Sequence, residues 1–171
     1  MDAAKAPIQE GQLLWAPRLE FAAGSNMARF QAWLRSARGI VTADYESLWR
    51  WSVSEPAAFW TAIWDYFDIL HDGSYASAMS SLEMLGVRWF EGARVNYAEH
   101  LLRHESVAHP DKIVFHHLSE TRPLLTMTWH TLGSQVRILA SQLRAMGVKP
   151  GDRVVSYMPN VPETAIAMMA T

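Results

Sequence analysis

Apolar positions recur at helical spacing through the first third of the chain, switch to short strand-like runs in the middle, and return to helical spacing near the end. Met27, Phe30 and Leu34, with Trp33 beside them, fall on one face. Ser25 or Asn26 is placed to cap that helix, and Gly39 to close it. Tyr45, Leu48 and Trp49 repeat the i, i+3, i+4 pattern after Thr42. Ser54, Glu55 and Pro56 then open a third helix, whose Phe59, Trp60, Ile63, Trp64 and Phe67 make a wide apolar stripe. Ahead of these three aromatic helices, residues 1–24 read as an irregular lead-in. Pro7 and Pro17 break it, and Leu13, Leu14 and Trp15 form an apolar anchor.

Residues 71–87 are rich in Ser, Ala and Gly without sustained period and read as a surface connection. Asn96 with Glu99 three positions on resembles a capping box and opens a helix carrying Leu101 and Leu102. After the punctuation His109, Pro110 and Asp111, the runs 112–118 and 123–129 read as a β-hairpin about a turn at 119–123. Thr128 caps a helix whose stripe is Leu132, Val136, Leu139, Leu143 and Met146, and Gly147 ends it. The turn at 148–152 delivers residues 153–158, a strand of the buried type. Asn160, Pro162 and Glu163 then supply cap, first-turn proline and acidic third position for a last helix. Its apolar residues are still running at Thr171, with no stop signal, which predicts that the chain is the front of a longer protein. A core cut there is expected to expose Ile166, Met168 and Met169.

Composition narrows the function classes. The chain has 171 residues, is 50% hydrophobic and 19% charged, and carries a net charge of -2. At this length it buries roughly 70% of its unfolded surface, enough for one core plus a helical appendage. The near-neutral balance gives no basic field for a phosphate backbone, so nucleic acid is not an expected partner. Zero cysteines exclude disulfides, thiolate-bound metals and a thiol nucleophile. No secretory leader is visible at the N-terminus and no apolar run approaches roughly 18 residues, so the expected setting is cytoplasmic, without a membrane partner. The aromatic stripe does not change that: between Trp51 and Leu70 the charges are Glu55, Asp65 and Asp68, all of which anionic lipid repels. Packing within its own protein is the expected use of that face.

Candidate chemistry is sparse. Neither glycine-rich phosphate pattern occurs, and Met158, Pro159 and Asn160 do not let backbone amides wrap a pyrophosphate. His100 and His104 sit four apart on a helix, a metal-ligand spacing, but Leu101 stands where a zinc protease needs Glu, so they read as surface histidines. His116 and His117 are neighbours on a strand and face opposite ways, so they form no catalytic pair, and one of them is expected to be buried and hydrogen-bonded. There is no Gly-x-Ser-x-Gly elbow and no acidic pair arranged for general acid and base work.

Several stretches, in order, carry a family resemblance: LLWAP near the start, MARFQAWL, the Trp-rich DYESLWRWSVSEPAAFWTAIWDYFDI, RWFEGARVNYAEHLL and GVKPGDRVVSYMPNVPETAIAMMA. They resemble the N-terminal portion of the acetoacetyl-CoA synthetase family, within the adenylate-forming acyl-CoA synthetases, over nearly the whole chain. The GVKPGDRV stretch is common to the superfamily. The segment from Asp44 to Ile69 and RWFEGARVNYAE point to the acetoacetate branch, with Leu85 standing where the family more often has Pro. The resemblance implies an α/β fold class: a helical N-terminal segment over 1–110, followed at 111–171 by the beginning of an AMP-binding domain. It also implies a parent enzyme that makes acetoacetyl-CoA from acetoacetate, ATP and CoA by way of acetoacetyl-AMP, with Mg²⁺ on the phosphates and AMP and pyrophosphate as products. The family's phosphate loop, acidic nucleotide-binding residues and mobile-domain lysine match nothing here. No catalytic, cofactor-binding or metal position is therefore assigned in this chain, which alone is expected to be inactive, with its aromatic helices packed on the remainder of the parent. The alternatives are a synthetase for another short acid, such as acetate or propionate, and a non-catalytic helical interaction module.

Overall fold

The computed structural model describes residues 9–83 and 85–171. The expected breaker Pro7 and the first residues of the lead-in lie outside the described residues. The chain divides into two compact units, one running through Asp68 and again from Ser77 to Trp89, the other made of Ile69–Ala76 and Phe90–Thr171.

The first unit is helical. The expected irregular lead-in contains a short helix, α1 (Leu19–Ala23), which the sequence reading missed because Pro17 and Gly24 leave it a single turn. The expected anchor of Leu13, Leu14 and Trp15 is not buried; all three side chains are largely exposed. Helix α2 (Asn26–Trp33) starts at Ser25, whose hydroxyl accepts from the Ala28 amide at 3.1 Å. It continues into one widened turn, Leu34–Arg38, and ends at Gly39 (φ 69), whose N–H reaches back to the Leu34 carbonyl. Only glycine takes that left-handed closing position without steric cost.

Helix α3 (Tyr45–Ser54) is capped by Asp44. Its carboxylate accepts from the Ser47 amide at 2.8 Å while the Ser47 hydroxyl accepts from the Asp44 amide, a reciprocal box that holds the Asp44 carboxyl below its ordinary range. Thr42 is buried, and the Gln31 amide donates to its hydroxyl at 3.1 Å. Helix α4 (Pro56–Tyr66) opens on proline at its first turn. Phe30, Leu34, Leu48 and Ala62 form the buried cluster, ringed by Trp33, Trp51, Phe59 and Tyr66. The expected α4 stripe is split: Phe59 and Ile63 pack inward while Trp60 and Phe67 stay about half exposed.

In the second unit, α5 (Tyr97–Val107) starts where Asn96 accepts from the Glu99 amide at 3.0 Å. Strands β1 (Ile113–Ser119) and β2 (Arg122–Thr128) pair antiparallel, with His116 opposite Thr126 and His117 opposite Leu125. Thr128 caps α6 (Trp129–Ala145), accepting from the Thr131 amide at 3.2 Å. Leu132 and Val136 of α6 pack with Ile166, Met169 and Ala170 of α7 (Pro162–Ala170), and Leu139 and Leu143 lie at the edge of that core. Met146, last in the expected stripe, is exposed because it falls past the helix end.

Three expectations in this unit need correction. Residues 153–158 form no strand: they run extended, with Val155 89% and Tyr157 107% exposed. A parallel strand exists only with a neighbour to accept its ladder, and among the described residues none lies alongside. Asn160 does not cap α7; Val161 holds that position without a side-chain bond, and Pro162 starts the helix unaided. Ile166 and Met169 are buried against α6, and only Met168 of the expected exposed trio is open, at 61%.

Candidate functional site

The four histidines singled out in the sequence are not brought together. The His100 Nδ1 accepts from the Leu70 amide at 3.2 Å, so one face of the ring is committed to holding the backbone just before Asp72. His104, one turn on, is exposed and lies 5.6 Å from the Trp129 ring. Their shared helix face is therefore divided between a backbone contact and a ring contact. His116 is exposed and His117 half-buried, so neither is the buried histidine the strand pattern predicted. Among the described residues no group of three or more His, Asp or Glu side chains is placed to hold a metal ion.

A denser polar constellation, which the sequence reading did not single out, joins α5 to α6. Arg137 donates to both oxygens of the Glu105 carboxylate, Nη1 to Oε2 at 2.6 Å and Nη2 to Oε1 at 2.9 Å, and His130 Nδ1 lies 3.5 Å from Oε1. The paired guanidinium, which a fork of donors matches geometrically, holds the Glu105 carboxyl below the usual glutamate range and raises Arg137. Gly133 makes the pair possible. It is buried, and a Cβ there would run into the carboxylate. A lone glycine inside a long amphipathic helix was the available signal, since it costs helix propensity and usually marks a close approach. A second ion pair, Arg122 Nη1 to Glu163 Oε1 at 2.8 Å, ties β2 to the first turn of α7.

Residues 153–164, whose sequence matches neither glycine-rich phosphate pattern, lead into α7. This stretch is exposed extended chain leading into a proline-started helix, and the Thr164 hydroxyl is spent on the Pro159 carbonyl at 2.6 Å. In the first unit an open groove of about 470 Å³ lies between α2, α3 and α4, walled by Met27, Phe30, Trp49, Phe59, Ile63 and Phe67. Its wall is mainly apolar, with Asn26, Tyr45, Ser52 and Tyr66 as its polar groups and no charged side chain. No described helix is long and apolar enough to cross a membrane.

Comparison with known proteins gives two family matches, which meet inside α5 and not at the boundary between the two units. Residues 45–101 match the family described as acetyl-coenzyme A synthetase N-terminus, and residues 102–171 match the AMP-binding enzyme family. The acetoacetyl-CoA synthetase from Streptomyces lividans superposes on 93% of this chain with a TM-score of 0.82 and 41% identity. Residues 45–171 therefore carry, in order, the acetyl-coenzyme A synthetase N-terminal pattern and the AMP-binding enzyme pattern. The chain's relatives by sequence include the acetoacetyl-coenzyme A synthetase of Rhizobium meliloti (strain 1021), 38% identical over 96% of this chain, and the acetoacetyl-CoA synthetase of Gallus gallus, 36% identical over 95%. The chain spans about a quarter of the length of these relatives: 25% of the Rhizobium protein, 24% of the Gallus protein and 25% of the Streptomyces structure. As the sequence predicted, a helical N-terminal segment precedes the start of an AMP-binding α/β domain. The match to the AMP-binding family begins within α5, so the Glu105–Arg137 pair, the hairpin and the α6–α7 core all lie in the AMP-binding portion.

Proposed function

We propose that this chain is the front quarter of a cytoplasmic ATP-dependent acetoacetate–CoA ligase, with the helical segment over 1–110 and the beginning of the adenylate-forming domain over 111–171. In the proposed reaction a carboxylate oxygen of acetoacetate attacks the α-phosphorus of ATP and pyrophosphate leaves. The CoA thiol, losing its proton, then attacks the acyl carbon of acetoacetyl-AMP, and AMP leaves with the electron pair of the broken C–O bond. A carboxylate is a poor electrophile until its oxygen becomes part of a phosphate leaving group, which is the reason for the first step, and Mg²⁺ on the phosphates would offset the charge that develops. The described residues do not fit a site for ATP, CoA or Mg²⁺. The 153–164 stretch lacks a glycine-rich cradle, and no acidic cluster is placed for a cation, so no step is routed through this chain. Its contribution in this reading is scaffolding: α5, the hairpin and the α6–α7 core start the nucleotide-binding domain, and the aromatic helices pack on the remaining chain.

The observation that carries this reading is the 41% identity and TM-score of 0.82 to the Streptomyces synthetase over 93% of the chain. Acid-dependent ATP–pyrophosphate exchange by a longer polypeptide that begins with this chain tests it, using acetoacetate, acetate and propionate in parallel. Exchange strongest with acetoacetate supports the proposal. Exchange favouring acetate or propionate moves the assignment to another short-chain acyl-CoA synthetase, and no exchange with any of the acids overturns the ligase reading.

A further inference from the structure

Among the described residues two that are not glycine adopt a left-handed backbone: Asp68 at φ 47 and Phe90 at φ 45. Asp tolerates this region because its short polar side chain bonds locally, but for a bulky ring it costs free energy and persists only where the surroundings force it. Phe90 stands where the chain re-enters the second unit after residues 77–89, and Asp68 stands immediately before that unit's first segment.

The surroundings of Phe90 are the paired segments 69–76 and 90–96. Asp72 and Arg94 exchange two backbone hydrogen bonds, each 2.8 Å. Next to them the backbones come closer than side chains permit: a Cβ on Gly73 would lie 2.6 Å from the Gly92 carbonyl oxygen, and one on Gly92 would lie 2.5 Å from that of Ser74. Both glycines are at positive φ, 79 and 101. The Phe90 carbonyl accepts from the Ala93 amide at 3.0 Å, closing a turn over Gly92, and the Phe90 ring meets Tyr75 edge to face at 4.9 Å. At the far end the Leu70 amide is fixed by His100 of α5, and Asn96 begins that helix.

We propose that segments 69–76 and 90–96 form a preloaded clasp, in which the Gly73–Gly92 approach and the Tyr75 ring hold Phe90 in a strained backbone. The clasp is a conformational device. It fixes where the chain leaves and re-enters the second unit and where α5 begins, and its opening releases the Phe90 strain, so it opens before the α6–α7 core does.

Amide hydrogen exchange on the 171-residue chain, read at Asp72 and Arg94 and compared with Val136 in α6, tests this. Gly92→Ala is expected to speed exchange at Asp72 and Arg94 by roughly tenfold while leaving Val136 unchanged. Tyr75→Ala is expected to speed it by a smaller factor. Adding Phe90→Asn to Tyr75→Ala, where no ring contact remains to be lost, is expected to recover part of that protection, because asparagine accepts the left-handed backbone. Unchanged exchange at Asp72 and Arg94 in Gly92→Ala overturns the clasp. A double variant less protected than Tyr75→Ala overturns the preloading, and a parallel rise at Val136 overturns the independence of the clasp from the core.

Discussion

The two units bury their apolar residues in different ways. In the first, rings meet edge to face around the buried side chains: Phe30 with Tyr66 at 5.0 Å, Trp33 with Tyr66 at 5.3 Å and Trp51 with Phe59 at 5.7 Å. Such ring pairs add to the area they bury, and a groove of about 470 Å³ lies beside them. The second unit packs aliphatic side chains between α6 and α7 and covers them with the hairpin and α5. Openness does not separate the units, since a concavity of about 820 Å³ lies against Val136, Met169 and Ala170 of the second; what separates them is aromatic edge packing in one and aliphatic helix packing in the other.

Truncating one fully buried leucine in each unit gives the largest expected effects. Leu132 and Leu34 are each 0% exposed. Leu132→Ala is expected to cost about 4 kcal/mol, because the hydrogen-bonded hairpin residues Val114, Phe115 and Met127 hold part of the cavity wall, and Leu34→Ala about 2–3 kcal/mol, because its neighbours are helical side chains that can shift inward. Urea denaturation of each variant measures both, and equal losses would break the contrast. Next comes a change of sign at Gly133. Gly133→Ala alone is expected to destabilise by roughly 1 kcal/mol, since displacing Glu105 from Arg137 outweighs the gain in helix propensity. In a Glu105→Ala background the same change is expected to stabilise by about 0.5–1 kcal/mol.

Helix caps should not distinguish the units. Ser25→Ala in the first and Thr128→Ala in the second are each expected to cost about 1 kcal/mol by thermal unfolding, because a cap bond closes within three residues whatever surrounds it. The smallest effect is the acid dependence of the α5–α6 pair. With the folded Glu105 carboxyl held below its unfolded value, its contribution is complete above about pH 4.3 and is lost as pH falls through the lowered folded value. The stability difference between wild type and Glu105→Gln should therefore narrow on acidification, with no narrowing in a matched pair of first-unit variants such as wild type and Ser25→Ala.

What was legible in the sequence was local. Ser25, Asn96, Thr128 and Gly39 announce helix ends because each completes its bond a few residues away, and the hairpin follows from two apolar runs about a short turn. Residues 153–158 misled because strand formation depends on a neighbour that composition does not reveal. Asn160 misled because a capping residue one position too early leaves Val161 at the helix start. The Glu105–Arg137–Gly133 constellation joins positions some thirty residues apart, and only the interior glycine hinted at it. Periodicity and composition named no reaction; the ordered stretches from Asp44 onward carried the family likeness, and the matches over 45–101 and 102–171 fall on them.

The central claim is that this chain supplies the frame of an acyl-CoA ligase and none of its reacting groups. Acetoacetate-dependent ATP–pyrophosphate exchange, run side by side on the 171-residue chain and on a longer polypeptide beginning with it, tests that claim most directly. The account expects exchange from the longer polypeptide and none from the shorter; exchange by the 171 residues on their own would contradict it.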